Sequence, residues 1–143
     1  MTAVQISVFL ENKSGRLSEV TQALAKANVN IRALSLAETI DYGVLRLIVN
    51  KPQEAKEALT GAGFILTETE VIAVEMPDRP GALAELVETV TRSGLNIEYC
   101  YAFVAKRGDN AVVIFRIDDA QAAIAALQER GARVLSAAEL GSL

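Results

Sequence analysis

Hydrophobic residues follow two different periods at the start of the chain. From Val4 to Leu10 apolar residues recur at every second position, which predicts a half-buried β-strand. After the polar segment Glu11 to Ser14, apolar residues recur three or four positions apart, which predicts an amphipathic helix with one buried side: Leu17, Val20, Leu24 and Ala27. Asn28 is expected to end this helix, because asparagine tolerates the left-handed backbone conformation.

The remainder of the first half predicts three more strands and a second helix. Asp41-Tyr42-Gly43 is a turn signal, and Pro52 suits the first turn of a helix that Gly63 ends. The predicted elements are strand Val29 to Ala37, strand Val44 to Val49, helix Gln53 to Ala62 and a fourth strand beginning at Phe64 to Leu66.

The second half of the chain repeats the first half in order. Asn12-Lys13-Ser14-Gly15 aligns with Asp78-Arg79-Pro80-Gly81, and Asn28-Val29-Asn30-Ile31 aligns with Gly94-Leu95-Asn96-Ile97. After small insertions at turn positions, Gly63 aligns with Gly131. The repeat predicts two domains, residues 1–69 and 70–143, with hardly any linker between Thr67 and Glu70.

The second copy carries the same elements as the first. Asp118, with Gln121 three residues later, resembles a capping box that opens its second helix. The predicted elements are Val71 to Met76, Ala82 to Arg92, Asn96 to Ala105, Ala111 to Ile117, a helix that reaches Arg130, and Val134 to Leu135. The predicted fold class is therefore α+β: two ferredoxin-like βαββαβ domains, each an antiparallel sheet with helices on one face.

Composition limits the chemistry that the chain can perform. Of 143 residues, 51% are hydrophobic and 5% aromatic, so the core is expected to be aliphatic. The chain has no histidine, which excludes histidine-dependent catalytic triads and most zinc sites. Its one cysteine, Cys100, is expected to be a small buried residue. The sequence shows no nucleophile–base pair, metal cluster or phosphate loop, so we expect neither an enzyme nor a cofactor or metal site.

Charge and hydropathy bear on partners and location. The net charge is −4, so the chain lacks the excess of basic residues that is typical of proteins that bind nucleic acid or anionic lipid. RNA recognition domains share the predicted strand order, but they carry aromatic residues on central strands that here read Val44-Leu45-Arg46-Leu47 and Ala111-Val112-Val113-Ile114. No apolar run approaches ~20 residues, and the N-terminus has no secretion-signal pattern, so we expect a cytoplasmic protein.

Both copies also share a longer motif. An apolar strand leads into an Asn/Asp-x-x-Gly loop, a Leu follows two residues after the Gly, and Asn-Ile begins the strand after the helix. The second copy has Asp78-Arg79-Pro80-Gly81-Ala82-Leu83 and Asn96-Ile97; the first has Asn12-Lys13-Ser14-Gly15-Arg16-Leu17 and Asn30-Ile31, without the Pro. This motif resembles the signature of the ACT domain. The resemblance covers nearly the whole chain, as two such domains with no enzyme attached.

The resemblance implies a regulatory protein that binds a small molecule, usually an amino acid, and modulates an enzyme of amino-acid metabolism in trans. Ligands of ACT domains commonly lie where two domains meet, beside the first strand–helix loop and the start of the second strand. We also expect a homodimer. By position, the implied ligand-binding residues are Asn12, Ser14, Gly15, Arg16, Leu17, Asn30 and Ile31 in the first copy, and Asp78, Pro80, Gly81, Ala82, Leu83, Asn96 and Ile97 in the second.

The residue types at these positions suit an amino-acid ligand. Gly15 and Gly81 stand at predicted helix N-termini, where unpaired N–H groups favour an anion such as a carboxylate. Asp78, or the side-chain oxygen of Asn12, can accept hydrogen bonds from an ammonium group. Some serine-binding members carry a histidine two residues before the loop Asn, and here those positions are Leu10 and Met76, so the identity of the ligand stays open.

Ordinary structural roles fit the same residues. The glycines suit tight turns, Asp78 suits a helix cap, and Asn30 and Asn96 suit strand starts. An alternative function is therefore a ligand-free adaptor module that uses its sheet edges for protein–protein association.

Overall fold

The computed structural model describes residues 2–103 and 107–143. Two compact units divide the chain: one is Val4–Thr69, and the other is built mainly from Glu70–Leu143. Each unit is described by itself below.

The first unit is an antiparallel sheet with two helices. Its elements are β1 (Ala3–Glu11), α1 (Arg16–Lys26), β2 (Ile31–Glu38), β3 (Tyr42–Val49), α2 (Pro52–Gly61) and the start of β4 (Ile65–Pro77). Strand β1 pairs with β3, opposing Ile6 to Leu47, and β2 pairs with β3, opposing Leu34 to Leu47. The strand order is β2-β3-β1, with β4 next to β1.

The second unit repeats this arrangement. The later part of β4 pairs antiparallel with β6 and with β7, and β5 pairs antiparallel with β6. After β4 its elements are α3 (Ala82–Arg92), β5 (Ile97–Ala102), β6 (Asn110–Ile117), α4 (Ala120–Glu129), β7 (Arg133–Leu135) and α5 (Ala137–Gly141). The predicted α+β class with two ferredoxin-like βαββαβ units is confirmed.

Each unit has its own hydrophobic core between the sheet and the helices. In the first unit the alternating residues of β1 pack against the apolar side of α1, where Val20 and Leu24 are almost fully buried. In the second unit Ile72 and Val74 pack with Val90, Phe115 and residues of α4. Aliphatic side chains dominate both clusters, as the composition predicts, and burying each contributes about 1.5–3 kcal/mol of transfer free energy.

Most predicted elements agree with the structure. The predicted and observed bounds of α3 are identical, and Asn28 has the left-handed φ of 57° expected of a helix-ending residue. The predicted strand Asn96 to Ala105 is observed as Ile97–Ala102, and its residues 104 and 105 lie outside the described residues.

Four details differ from prediction. Thr67 to Glu70 is part of the single strand β4 and not a linker, because this segment contains no glycine or proline to interrupt the strand. Asp119, and not Asp118, caps α4 by accepting from the backbone N–H of Ala122. Helix α5 was not predicted, although its capping box of Ser136 and Glu139 is visible in the sequence. Cys100 is exposed and not buried, because the outward-facing residues of β5 are left uncovered.

None of the helices in the described part of the chain is long and apolar enough to cross a membrane.

Candidate functional site

The ligand-binding residues predicted from the sequence fall into two groups at opposite ends of each sheet. In the first unit Glu11, next to the Asn12 loop, opposes Tyr42, whereas Ile31 opposes Val49. The length of β3 separates these ends by roughly 23 Å. In the second unit Pro77 opposes Asn110 and Ile97 opposes Ile117, which gives the same separation. Within one unit, therefore, the loop group and the strand-start group do not come together.

The strand-start residues make structural contacts. The backbone N–H of Asn30 donates to Asn50 Oδ1 at 2.8 Å, and the backbone N–H of Asn96 donates to Asp118 Oδ1 at 3.2 Å. Ile31 and Ile97 are half-buried against their cores.

Asn12 joins the loop before α1 to the connection between β2 and β3. Its Nδ2 donates to Glu38 Oε2 at 3.2 Å and lies 3.1 and 3.2 Å from the carbonyl oxygens of Thr39 and Ile40. The side-chain nitrogen of Asn12 therefore already contacts acceptors within the first unit. The neighbouring predicted residues Ser14 and Leu17 are exposed, as are Pro80 and Leu83 in the second unit.

Gly15 and Gly81 are the N-cap residues of α1 and α3. Their φ angles are 92° and 87°, in the left-handed region that disfavours other residues, so the turn itself requires glycine. A Cβ at Gly15 would meet no atom within 4 Å, so the approach to this turn is open. Asp78 is exposed, and Gly81, the N-cap residue of α3, has no side chain with which to cap the helix.

A cavity of about 500 Å³ lies beside the first turns of α3 in the second unit. Ala82, one of the predicted residues, forms part of its wall. Charged and amide side chains surround it, and they come from β4, the loop before α3, α3 itself, the start of β6, the residue after α4 and the start of β7: Glu75, Arg79, Glu85, Glu88, Arg92, Asn110, Arg130 and Arg133.

Glu75 is the least exposed charged group of this cavity, with 11% of its side chain accessible. Its carboxylate is 3.1 Å from Arg133 Nε and 3.6 Å from Arg107 Nε, and it accepts a hydrogen bond from Asn110 Nδ2 at 3.2 Å. These partners hold the carboxylate in one position at the wall of the cavity.

Guanidinium groups outnumber carboxylates around the cavity. Three arginines are paired with glutamates: Arg79 with Glu85, Arg92 with Glu88 and Arg133 with Glu75. Arg130 is the fourth arginine, and it makes no ion pair within the described ranges 2–103 and 107–143. The cavity therefore combines a fixed carboxylate with one surplus positive charge.

The lining of this cavity aligns with the linings of two cavities in the first unit, and the smaller of them, about 270 Å³, lies beside Arg16. Phe9, Phe64 and Ile65 stand there where the second unit has Glu75, Ala132 and Arg133. Arg16, the predicted residue at the position of Ala82, forms part of the wall. The hydrogen bonds of Glu11 with Lys13 and Arg16 lower the pKa of Glu11, and the bonds of Arg16 with Glu19 and Glu11 raise the pKa of Arg16.

The larger of the two aligned cavities, about 630 Å³, lies between α1 and α2, and its α1 residues align with the α3 residues that line the second-unit cavity. Its wall is mostly alanine and glycine, and the charged side chains there are Glu19 and Lys26. It offers no guanidinium to a carboxylate.

Sequence reasoning missed the arginines around the second-unit cavity. Arg130 follows α4 and Arg133 begins β7, far along the chain from the motif that begins at Asp78. The repeat could have indicated these arginines, because Arg130 and Arg133 align with residues of the first copy that are apolar, Ala62 and Ile65.

Comparison with known proteins agrees with the architecture described above. The family model described as an ACT domain pair matches residues 1–141. The crystal structure of protein BT0572 from Bacteroides thetaiotaomicron is 42% identical, with a TM-score of 0.93 over 100% of this chain and 98% of that chain. The ligand-free regulatory subunit of aspartate kinase from Thermus thermophilus is 23% identical, with a TM-score of 0.64 over 88% of this chain and 91% of that one, a likeness of fold alone. No curated protein matches the chain.

Proposed function

The chain belongs to the ACT domain family, as a pair of ACT domains, and on this premise we propose that it is a regulatory protein that binds an amino acid. In this proposal it senses the concentration of that amino acid and modulates, in trans, an enzyme of amino-acid metabolism. The chain itself performs no catalysis.

We place the site in the cavity of the second unit. An amino acid presents an ammonium group, which needs acceptors, and a carboxylate, which needs donors. Glu75 supplies a carboxylate at one part of the wall, and Arg130 supplies a guanidinium without an ion-pair partner in the described chain. The combination of these two groups in one cavity of about 500 Å³ is the observation that carries the proposal.

The loop before α3 contributes the approach to this site. Arg79 and Ala82 come from the motif Asp78 to Leu83 and line the cavity. The N-terminal N–H groups of α3, whose N-cap residue is Gly81, favour a nearby carboxylate through the helix dipole. In the first unit, Asn12 of the corresponding loop holds that loop to the connection between β2 and β3.

A thermal-unfolding screen against the twenty proteinogenic amino acids tests the proposal. A ligand present at 100 times its dissociation constant stabilises the folded protein by ~2.7 kcal/mol, enough to raise the unfolding midpoint measurably. We expect one amino acid, or one chemical group of them, to raise the midpoint. If none does so at millimolar concentration, the adaptor function takes the place of the ligand-binding one.

We also propose that the protein is a homodimer. In β2 of the first unit, Leu34 and Leu36 are 42% and 49% exposed, and an exposed apolar edge strand is a surface that proteins commonly cover by association. Sedimentation equilibrium is expected to give twice the chain mass of 15.3 kDa, and Leu36→Lys is expected to shift the mass toward that of one chain.

A further inference from the structure

Arg16 and Ala82 are aligned in the repeat but leave different amounts of space beside the first helix of their units. The Arg16 guanidinium is held by two carboxylates, with Nη2 2.8 Å from Glu11 Oε1 and Nη1 2.9 Å from Glu19 Oε2. Only 29% of its side chain is exposed, and its Nε is buried without a hydrogen-bond partner. The side chain therefore takes up part of the space in its own cavity.

In the second unit the carboxylate aligned with Glu19 is also paired with an arginine, but that arginine does not stand at the position aligned with Arg16. Glu85, which aligns with Glu19, pairs with Arg79 of the preceding loop, whose Nη2 is 3.1 Å from both of its carboxylate oxygens. The methyl group of Ala82 replaces a long side chain. Beside Ala82 the space continues along α3 as one cavity of about 500 Å³, whereas the aligned lining of the first unit is divided between about 270 Å³ beside Arg16 and about 630 Å³ between α1 and α2.

The remaining walls reinforce this difference. Where the second unit has the carboxylate of Glu75 and the guanidinium of Arg133, the first unit has Phe9 and Ile65. Neither side chain can accept from an ammonium group or donate to a carboxylate. Removing the Arg16 side chain would enlarge the first cavity but would not supply these groups.

We propose that the chain binds one amino acid and not two: the second unit holds the site, whereas in the first unit Arg16 divides the aligned space and apolar walls replace its charged groups. This inference rests on the proposed function, because it takes the second cavity to be an amino-acid site. It makes the pair functionally unequal, with one sensing unit and one unit that does not bind.

Two substitutions place first-unit side chains in the cavity of the second unit, and a third removes the Arg16 side chain from the first unit. Ala82→Arg introduces the side chain found at the aligned position. Ala132→Phe introduces the aligned residue Phe64 at a half-buried position, and so tests closure if the buried Ala82 does not accept arginine. Arg16→Ala is the matched control, because it alters the same position of the repeat in the other unit. Circular dichroism and unfolding midpoints establish that each variant is folded.

Calorimetric titration of the whole chain with each of the twenty amino acids gives the stoichiometry. We expect one ligand per chain for the parent protein and for Arg16→Ala, and no binding by folded Ala82→Arg or Ala132→Phe. Two ligands per chain for the parent protein, or unchanged binding by both closing variants, would overturn this inference and leave the proposed function standing. Absence of binding by the parent protein would overturn both.

Discussion

Glu75 and Arg133 are direct cross-strand partners: they oppose each other in the pairing of β4 with β7, and Arg133 Nε lies 3.1 Å from Glu75 Oε2. The sheet register therefore fixes both groups at the wall of the cavity without any contribution from a mobile loop. A site on paired strands is held more rigidly than one on a loop, which favours selective recognition of a small ligand.

Glu75→Gln is expected to weaken amino-acid binding. The substitution keeps the shape of the side chain but removes the charge that accepts from the ligand ammonium group, which costs about 1.5–3 kcal/mol, or roughly 10- to 150-fold in the dissociation constant. Glu139→Gln is the matched control, because Glu139 also pairs with Arg133, at 3.1 Å, but does not line the cavity. Calorimetry showing equal effects of the two substitutions would contradict the role of Glu75.

Asp78→Ala distinguishes the cavity from the site that the motif alone suggests. The sequence gives the ammonium-binding role to Asp78, whereas the structure places Asp78 on an exposed loop outside the wall of the cavity. We expect this variant to bind within about threefold of the parent protein, since substitutions at exposed positions commonly change free energies by only ~0.5 kcal/mol. A loss of affinity as large as that of Glu75→Gln would assign the ammonium-binding role to Asp78.

Ligand charge is expected to affect affinity. The surplus positive charge of Arg130 complements a ligand with a net negative charge, so L-glutamate is expected to bind more tightly than L-glutamine, which has nearly the same shape. Because the arginines are partly exposed, salt screens this preference. The ratio of the two dissociation constants, measured by calorimetry, is expected to fall between 20 mM and about 500 mM sodium chloride. Equal affinities at low salt would show that Arg130 does not contribute.

Gly81→Ala is expected to destabilise the protein by about 1 kcal/mol. A Cβ there would meet only the far end of Arg79, at 3.9 Å, so the cost comes from the φ of 87° and not from a clash. Gly61→Ala is the control: Gly61 lies at the end of α2, its Cβ would meet nothing within 4 Å, and it has no positive φ. This variant is expected to be stabilised by about 0.5 kcal/mol. Urea unfolding of both variants checks the opposite signs.

The fold could be predicted because local signals and the repeat agree. Periodic apolar residues, Asn28 and the glycines at helix ends specify most elements twice, once in each copy. Two of the errors depend on how the strands are paired and covered: β4 continues without interruption through Thr67 to Glu70, and Cys100 is exposed because the described part of the chain leaves that side of β5 uncovered. The other two, the Asp119 cap of α4 and helix α5, depend on local signals.

The candidate site was less accessible to sequence reasoning. Its motif loop is local, so Ala82 could be found from the sequence. Glu75, Arg130 and Arg133 meet only because β7 pairs with β4, a contact between residues about 58 positions apart that no local pattern specifies. The strand-start residues Asn30 and Asn96 belong to the same motif, but the length of the strands places them at the other end of each unit.

The most direct test of the central claim is an NMR titration that follows the backbone amide signals of the whole chain as the best amino acid of the thermal screen is added. The account predicts that the largest chemical-shift changes cluster around the second-unit cavity, at Ala82, Asn110, Gly131 and Ala132, with the aligned signals of Arg16, Gly63 and Phe64 unchanged. Changes centred on Gly15 and Asn30, equal changes in both units, or no changes at saturating ligand would contradict it.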